Sequence, residues 1–121
     1  MSIKGRSAKQ KGSRKEREVA DAINKAFNCK CRRTPMSGAL PDWKGDICQL
    51  PEELNDLCLE VKCQEKTKIW QWLEQAERES GRKTPVLLFS RNRSKTYAVM
   101  EMNDWLNLLL EARVNEGVCC L

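Results

Sequence analysis

The chain has 121 residues and a mass of 14.0 kDa, enough for one small domain with a modest core. Its composition is typical of a globular protein, and no run approaches the roughly 18 apolar residues of a membrane span. The absence of histidine excludes imidazole bases and zinc sites with histidine ligands. Hydrolytic chemistry would therefore depend on carboxylates, lysine and a hard cation such as Mg²⁺, for which Mn²⁺ can substitute.

The net charge of +5 is concentrated at the N-terminus. Residues 1–17 hold seven basic residues and one acid, whereas the rest of the chain holds 15 basic and 16 acidic residues. A basic segment on a near-neutral body favours binding to a polyanion such as DNA, because phosphate neutralisation releases counterions. A solvated tail is the alternative. We predict a flexible basic arm over residues 1–12 and a folded domain over residues 13–121.

Seven cysteines occur without the CxxC spacing of a zinc cluster or a disulfide framework. The basic N-terminus also lacks the apolar stretch of a signal peptide. We therefore expect a cytoplasmic protein with reduced thiols, most of them small core residues.

The predicted elements begin with a helix from Ser13 to about Asn28, opened by a capping box in which Glu16 reaches back to Ser13. Residues 29–34 are compatible with an edge strand and residues 35–45 with a loop. Two strands follow, over residues 46–50 and 57–63, which can pair as a hairpin. The second strand is apolar on both faces, which predicts a central position in the sheet.

In the second half of the chain, the sequence pattern predicts a helix over residues 69–80 that ends at Gly81 and a strand over residues 86–89. A basic turn over residues 91–95 and a strand over residues 96–101 follow. A last helix begins near residue 103, with Trp105 expected in the core. Trp70 and Trp72 lie two apart, so at most one of them is buried in the sheet layer. The order α-β-β-β-α-β-β-α predicts a single α/β domain, a mixed sheet with helices on both faces.

The strongest indication of a catalytic site is the triplet Glu60-Val61-Lys62. Residues i and i+2 of a strand share a face, so Glu60 and Lys62 point the same way, and Asp46 on the neighbouring strand can reach them. Two carboxylates and the Val61 carbonyl could hold Mg²⁺, and Lys62 could orient or deprotonate a water. A solvated ion pair is the alternative, but the apolar flanks favour a site.

Two further acids need an assignment. Glu16 heads the stripe of Val19, Ala20 and Ile23 on the first helix, so it either points toward the site or caps Ser13. Of the two aspartates near the second strand, we choose Asp46 as the ligand, because Asp42 lies in a loop and is typical of a turn residue.

These motifs, in this order, resemble the archaeal-type Holliday junction resolvases (Hjc) and their phage relatives, members of the PD-(D/E)xK nuclease superfamily. The resemblance covers roughly residues 9–105 and rests on 11-KGSRKERE-18, Arg33, Ser37-Gly38, Asp46, Glu60-Val61-Lys62 and 75-QAE-77. It implies a restriction-endonuclease-like core, a homodimer and Mg²⁺-dependent cleavage of four-way DNA junctions. A different DNA endonuclease with the same core, or a non-catalytic DNA-binding protein, is the alternative.

The resemblance also implies roles for individual residues. Asp46 and Glu60 match the metal-binding acids, Lys62 the catalytic lysine and Glu16 the glutamate of the first helix, which we also expect to contribute to the metal site. Gln75 matches a helix residue that supports the site, although Gln71 one turn earlier shares its face, and Ser37 matches a loop near the scissile phosphate. We expect the basic residues to contact DNA phosphates, namely Lys4, Arg6, Lys9, Lys11, Arg14, Lys15, Arg17, Arg32, Arg33, Arg91, Arg93 and Lys95.

Overall fold

The computed structural model of the chain describes residues 3–35 and 44–115. Its elements are α1 (Ile3–Phe27), β1 (Arg32–Arg33), β2 (Ile47–Cys48), a 3₁₀ turn (Glu52–Leu54), β3 (Leu57–Cys63), α2 (Ile69–Glu79), β4 (Thr84–Ser90), β5 (Tyr97–Val99) and α3 (Met102–Asn115). The predicted order of helices and strands is confirmed, and the fold is a small single-domain α/β architecture compatible with a restriction-endonuclease-like core. None of the described helices has the length and apolar character needed to cross a membrane.

A mixed three-stranded sheet in the order β3-β4-β5 forms the centre of the fold. β3 and β4 run parallel from the Leu57–Thr84 pair to the Cys63–Ser90 pair, and α2 is the crossover between them. β5 then returns antiparallel to β4. The prediction that β3 is central was therefore wrong, because it forms an edge of this sheet among the described strands.

The predicted hairpin between residues 46–50 and 57–63 was also wrong. Ile47 and Cys48 pair instead with β1, in an antiparallel ribbon of two residues per strand. This ribbon meets the outer edge of β3 at Asp46, whose N–H donates to the Leu59 carbonyl at 2.7 Å. The edge of β3 is thus protected at this point without a continuous ladder.

Two helices cover opposite faces of the sheet, as predicted. Leu59 and Val61 belong to a core cluster with Val19 and Ala20 of α1. The alternate residues of β3 and β4 point to the opposite face of the sheet. On that face Phe89 of β4 contacts Trp72 of α2, with ring centroids 6.3 Å apart. Glu60 and Lys62 therefore lie on the α2 face of β3.

The first helix begins at Ile3, so the prediction of a helix start and capping box at Ser13 was wrong. Lysine, arginine, glutamine and alanine dominate residues 3–12 and are good helix formers, which explains the extension despite two glycines. Whether residues 1–12 move as a flexible arm stays a prediction.

The tryptophans and cysteines differ in how far they are buried. Trp72 is buried and Trp70 is 80% exposed, which confirms that at most one of this pair is in the core. Trp105 is 48% exposed, so its prediction as a core residue was wrong, because the apolar side of α3 faces outward. Three of the free thiols are buried as predicted, those of Cys31, Cys48 and Cys58.

Candidate active site

Asp46 is fixed against β3 by backbone and side-chain hydrogen bonds. Its N–H donates to the Leu59 carbonyl at 2.7 Å, and its Oδ2 accepts the Val61 N–H at 2.7 Å. The preceding Gly45 has φ +81°, and a Cβ there would lie 2.7 Å from the Leu59 carbonyl oxygen. Glycine at this position therefore allows the close approach that brings the carboxylate to β3.

The Val61 main chain points toward Asp46. Its N–H donates to the Asp46 carboxylate rather than to β4, and the N–H and C=O of one residue lie on the same side of a strand. The Val61 carbonyl therefore also faces the outer edge of β3. This places it, with Asp46, among the atoms available to a cation.

Glu60 carries the most perturbed carboxyl of the site. It is only 4% exposed, and burial, followed by the charges of Asp46 and Glu79, raises its pKa to about 8, partly offset by Lys62. Burial also raises the pKa of Asp46, against the hydrogen bond from Val61. The two carboxyls thus form a poorly solvated acidic pair with one neighbouring cation.

Glu79, at the C-terminal end of α2, is a part of this cluster that the sequence analysis missed. It helps to raise the pKa of the Glu60 carboxyl, and its Oε1 accepts a bond from Gln75 Nε2 at 3.3 Å. Gln75 is half-buried whereas Gln71 is exposed, so Gln75 is the glutamine that reaches the cluster. The spacing of four residues on one helix, Gln75 to Glu79, was the available signal.

Glu16 approaches the site from α1 but is held by an arginine. Arg33 Nε donates to Glu16 Oε1 at 3.0 Å, and both side chains are half-buried. The Glu16 charge contributes to raising the pKa of Asp46, so the two carboxylates are close enough to interact. Arg33, expected to contact DNA, thus has an intramolecular partner.

A cavity of about 520 Å³ is lined by Lys11 and Gly12 of α1 and by residues 61–65, which include Lys62. A neighbouring cavity of about 220 Å³ gathers five of the predicted DNA-binding residues, Lys11, Arg14, Lys15, Arg91 and Arg93. A third cavity, about 590 Å³, lies beside α2 and the start of α3 and has none of the predicted site residues in its lining.

The remaining predicted residues are not brought to the acidic cluster. Ser37 and the rejected Asp42 lie outside the described residues, and Lys4, Arg6 and Lys9 lie where the structure describes only the backbone of α1. Arg17, Arg32 and Lys95 are exposed.

The donor set suits a hard divalent cation of the Mg²⁺ type. Within residues 3–35 and 44–115, no three Cys, Asp or Glu side chains form a preformed metal cluster. Mg²⁺, however, is commonly bound by one or two carboxylates, with waters and substrate phosphates completing its shell. Asp46, Glu60 and the Val61 carbonyl fit that pattern. Burial, followed by the charges of Asp46 and Glu79, raises the pKa of Glu60, and a bound cation would favour its ionised form.

Comparison with known proteins gives one match. The family model described as "Phage putative PDDEXK endonuclease" matches residues 7–117. Searches of curated proteins and of solved structures each found no match. The matched range includes all the described residues of the acidic cluster and of the basic cavity.

Proposed function

Because the chain belongs to the phage PD-(D/E)xK endonuclease family, we propose that it is a metal-dependent DNA endonuclease whose site consists of Asp46, Glu60 and Lys62. The observation that carries this proposal is the bond from the Val61 N–H to Asp46. It joins the aspartate to the middle residue of the Glu60-Val61-Lys62 triplet. A buried acidic pair beside a lysine is suited to hydrolysing phosphodiesters without histidine.

The cofactor we propose is Mg²⁺, with Mn²⁺ able to substitute. Asp46, Glu60 and the Val61 carbonyl would hold it, and when bound it would polarise the phosphate and stabilise its developing charge. Glu16, kept in place by Arg33, would act from the other side of Asp46, by orienting it or a bound water. Ser37 is proposed to lie near the scissile phosphate.

Lys62 is the remaining catalytic group. It shares the α2 face of β3 with Glu60, and its charge lowers the pKa of both acids, so it lies within electrostatic reach of the pair. At this position an ammonium group would orient the attacking water or stabilise negative charge on the phosphate. Glu79 and Gln75 are positioning residues that act through Glu60.

The substrate we propose is a branched DNA, specifically a four-way junction, cut by a homodimer in the cytoplasm. Two opposed cuts require two sites, and a two-fold dimer matches the near two-fold symmetry of a junction. Support for the dimer comes from α3, where Met102, Trp105, Leu106 and Leu109 recur at spacings of three and four and are 42–63% exposed.

A second copy of the chain is the occupant that fits this apolar face. With Leu110, Val114 and the neighbouring Trp70, these side chains expose roughly 800 Å², taking on the order of 150–250 Å² for a fully exposed large side chain. One partner in a standard protein interface buries about 800 Å². The face is therefore large enough for a stable dimer.

The dimer is tested by Leu109→Glu, with Asn103→Glu on the same helix as the matched control. We expect a dimer of about 28 kDa in light scattering for the parent and the control, and a 14.0 kDa monomer for Leu109→Glu. A parent that is monomeric at assay concentrations, yet still cuts both strands together, would rule out the dimer.

The function is tested by cleavage of a four-way junction, a fork and a linear duplex of matched sequence, each with Mg²⁺, Mn²⁺ or EDTA. We expect metal-dependent nicking that is fastest on the junction. Equal rates on all three substrates would support an endonuclease activity but reject selectivity for junctions. No cleavage of any substrate with either metal would reject the enzyme and favour a DNA-binding protein.

A further inference from the structure

The basic cavity between α1 and the β4–β5 turn, residues 91–96, is built by residues far apart in the chain. Lys11 and Arg14 come from α1, and Arg91 and Arg93 come from the turn. Five cations and a single acid, Glu18, line this cavity, and Glu18 is already paired with Lys15 at 3.0 Å. The described lining residues therefore carry a net charge of +4.

The cavity has a fixed shape because its two walls are tied together. Lys15 Nζ donates to Thr96 Oγ1 at 3.1 Å, which joins α1 to the turn. The Asn92 N–H donates to Glu65 Oε2 at 2.8 Å, which joins the turn to the chain after β3. Ser94 Oγ accepts the Arg91 N–H at 2.9 Å and closes the turn itself. The cationic groups are thus presented by a tied turn and a long helix.

The basic cavity also adjoins the candidate active site. It shares Lys11 and Cys63 with the cavity that Lys62 helps to line. Lys62 pairs with Phe89 in the β3–β4 register, so Arg91 comes two residues after the neighbour of Lys62 on the adjacent strand.

We propose that this basic cavity is the binding track for the phosphates of the cleaved strand on one side of the scissile bond. Lys11 and Arg91 contact the phosphates nearest to Lys62, and Arg14 and Arg93 contact those farther along. Lys15 is a positioning residue, since its ammonium group holds α1 to the turn. The inference rests on the proposed nuclease function. It adds the direction in which the bound strand runs, from the acidic cluster past Lys11 toward Arg93.

The track predicts a local electrostatic effect on binding. Because each lost phosphate contact lowers the slope of log affinity against log salt by about 0.9 on duplex DNA, Arg91→Gln with Arg93→Gln should lower it by about 1.8. Affinity at low salt should fall by about tenfold or more.

The experiment measures binding of a fluorescent four-way junction across a salt series, in a Glu60→Gln background that does not cut. The matched control is Lys25→Gln with Arg82→Gln, which removes the same charge from two exposed residues outside the basic cavity. Circular dichroism checks that both pairs fold. Cleavage of the same junction by the unmodified chain is measured in parallel.

The expected result is a slope reduced by about 1.8 for the Arg91/Arg93 pair and an unchanged slope for the control pair. Equal losses in both pairs would overturn the track and indicate a diffuse charge effect. Unchanged binding in the Arg91/Arg93 pair would also overturn the track. Failure of the nuclease proposal itself would appear separately, as an unmodified chain that does not cut DNA.

Discussion

The buried carboxyl of Glu60 should make the stability of the chain fall with increasing pH. Its pKa in the folded chain is raised from 4.5 to about 8, first by burial and then by Asp46 and Glu79. A carboxyl with a higher pKa in the folded than in the unfolded chain binds its proton more tightly when folded. The stability this proton contributes is fully present below about pH 4.5 and is lost as the pH rises to about 8.

The magnitude follows from the size of the shift. At about 1.4 kcal/mol per pKa unit, a rise from 4.5 to about 8 corresponds to at most about 5 kcal/mol of unfolding free energy. Glu60→Gln keeps a neutral group of similar shape at every pH. We therefore expect this variant to match the parent near pH 5 and to exceed it by about 2–5 kcal/mol near pH 9, without added metal.

Urea unfolding followed by tryptophan fluorescence, with buried Trp72 as a reporter, measures this difference between pH 5 and pH 9. Glu74→Gln removes an exposed carboxylate from α2 and is the matched control, expected to follow the parent. The thiols of Cys31 and Cys58 have pKa values raised to about 11 by burial, so they stay neutral over this range. If the free energies of unfolding of the parent and Glu60→Gln changed equally with pH, the raised pKa of Glu60 would be refuted.

Four further outcomes follow from the site. Mg²⁺ should raise the melting temperature of the parent at pH 8 and leave Glu60→Gln unchanged in differential scanning fluorimetry; equal shifts in both would place the metal elsewhere. Gly45→Ala should lose about 2–4 kcal/mol in urea unfolding, because its Cβ would lie 2.7 Å from the Leu59 carbonyl oxygen at φ +81°; an unchanged midpoint would contradict this. Lys62→Ala should abolish nicking in a gel assay, and excess Mg²⁺ should not restore it; restoration would make Lys62 a metal-positioning group. Glu16→Gln should weaken Mg²⁺ binding measured by calorimetry, since it removes a negative charge that acts on Asp46, and unchanged affinity would remove Glu16 from the site.

Much of the fold could be predicted from local patterns. The apolar strand β3, the helix α2 and the glycine that ends it at φ +61° all have short-range signals, and each was placed within a residue or two. Strand pairing was less predictable, because pairing depends on contacts between distant residues. β3 takes β4 as its parallel partner across α2, whereas β2 finds its partner in β1.

The candidate site was predictable where its residues are close in sequence. Glu60 and Lys62 follow from strand periodicity, and the choice of Asp46 over Asp42 followed from the apolar strand after it; only Asp46 lies within the described residues. Glu79 was missed because it is an exposed residue at the end of α2, and its proximity to Glu60 depends on how α2 packs on the sheet. The partner of Glu16 was missed for a similar reason, since Arg33 lies on the other side of a turn.

Cleavage by Asp46→Asn tests the central claim most directly. A supercoiled plasmid and a four-way junction are incubated with the parent or the variant in Mg²⁺, and DNA binding is measured in parallel in EDTA. The account predicts nicking by the parent alone and similar DNA affinity for both, because the substitution removes a metal ligand and leaves the phosphate contacts in place. Near-normal nicking by Asp46→Asn would contradict the assignment of the site.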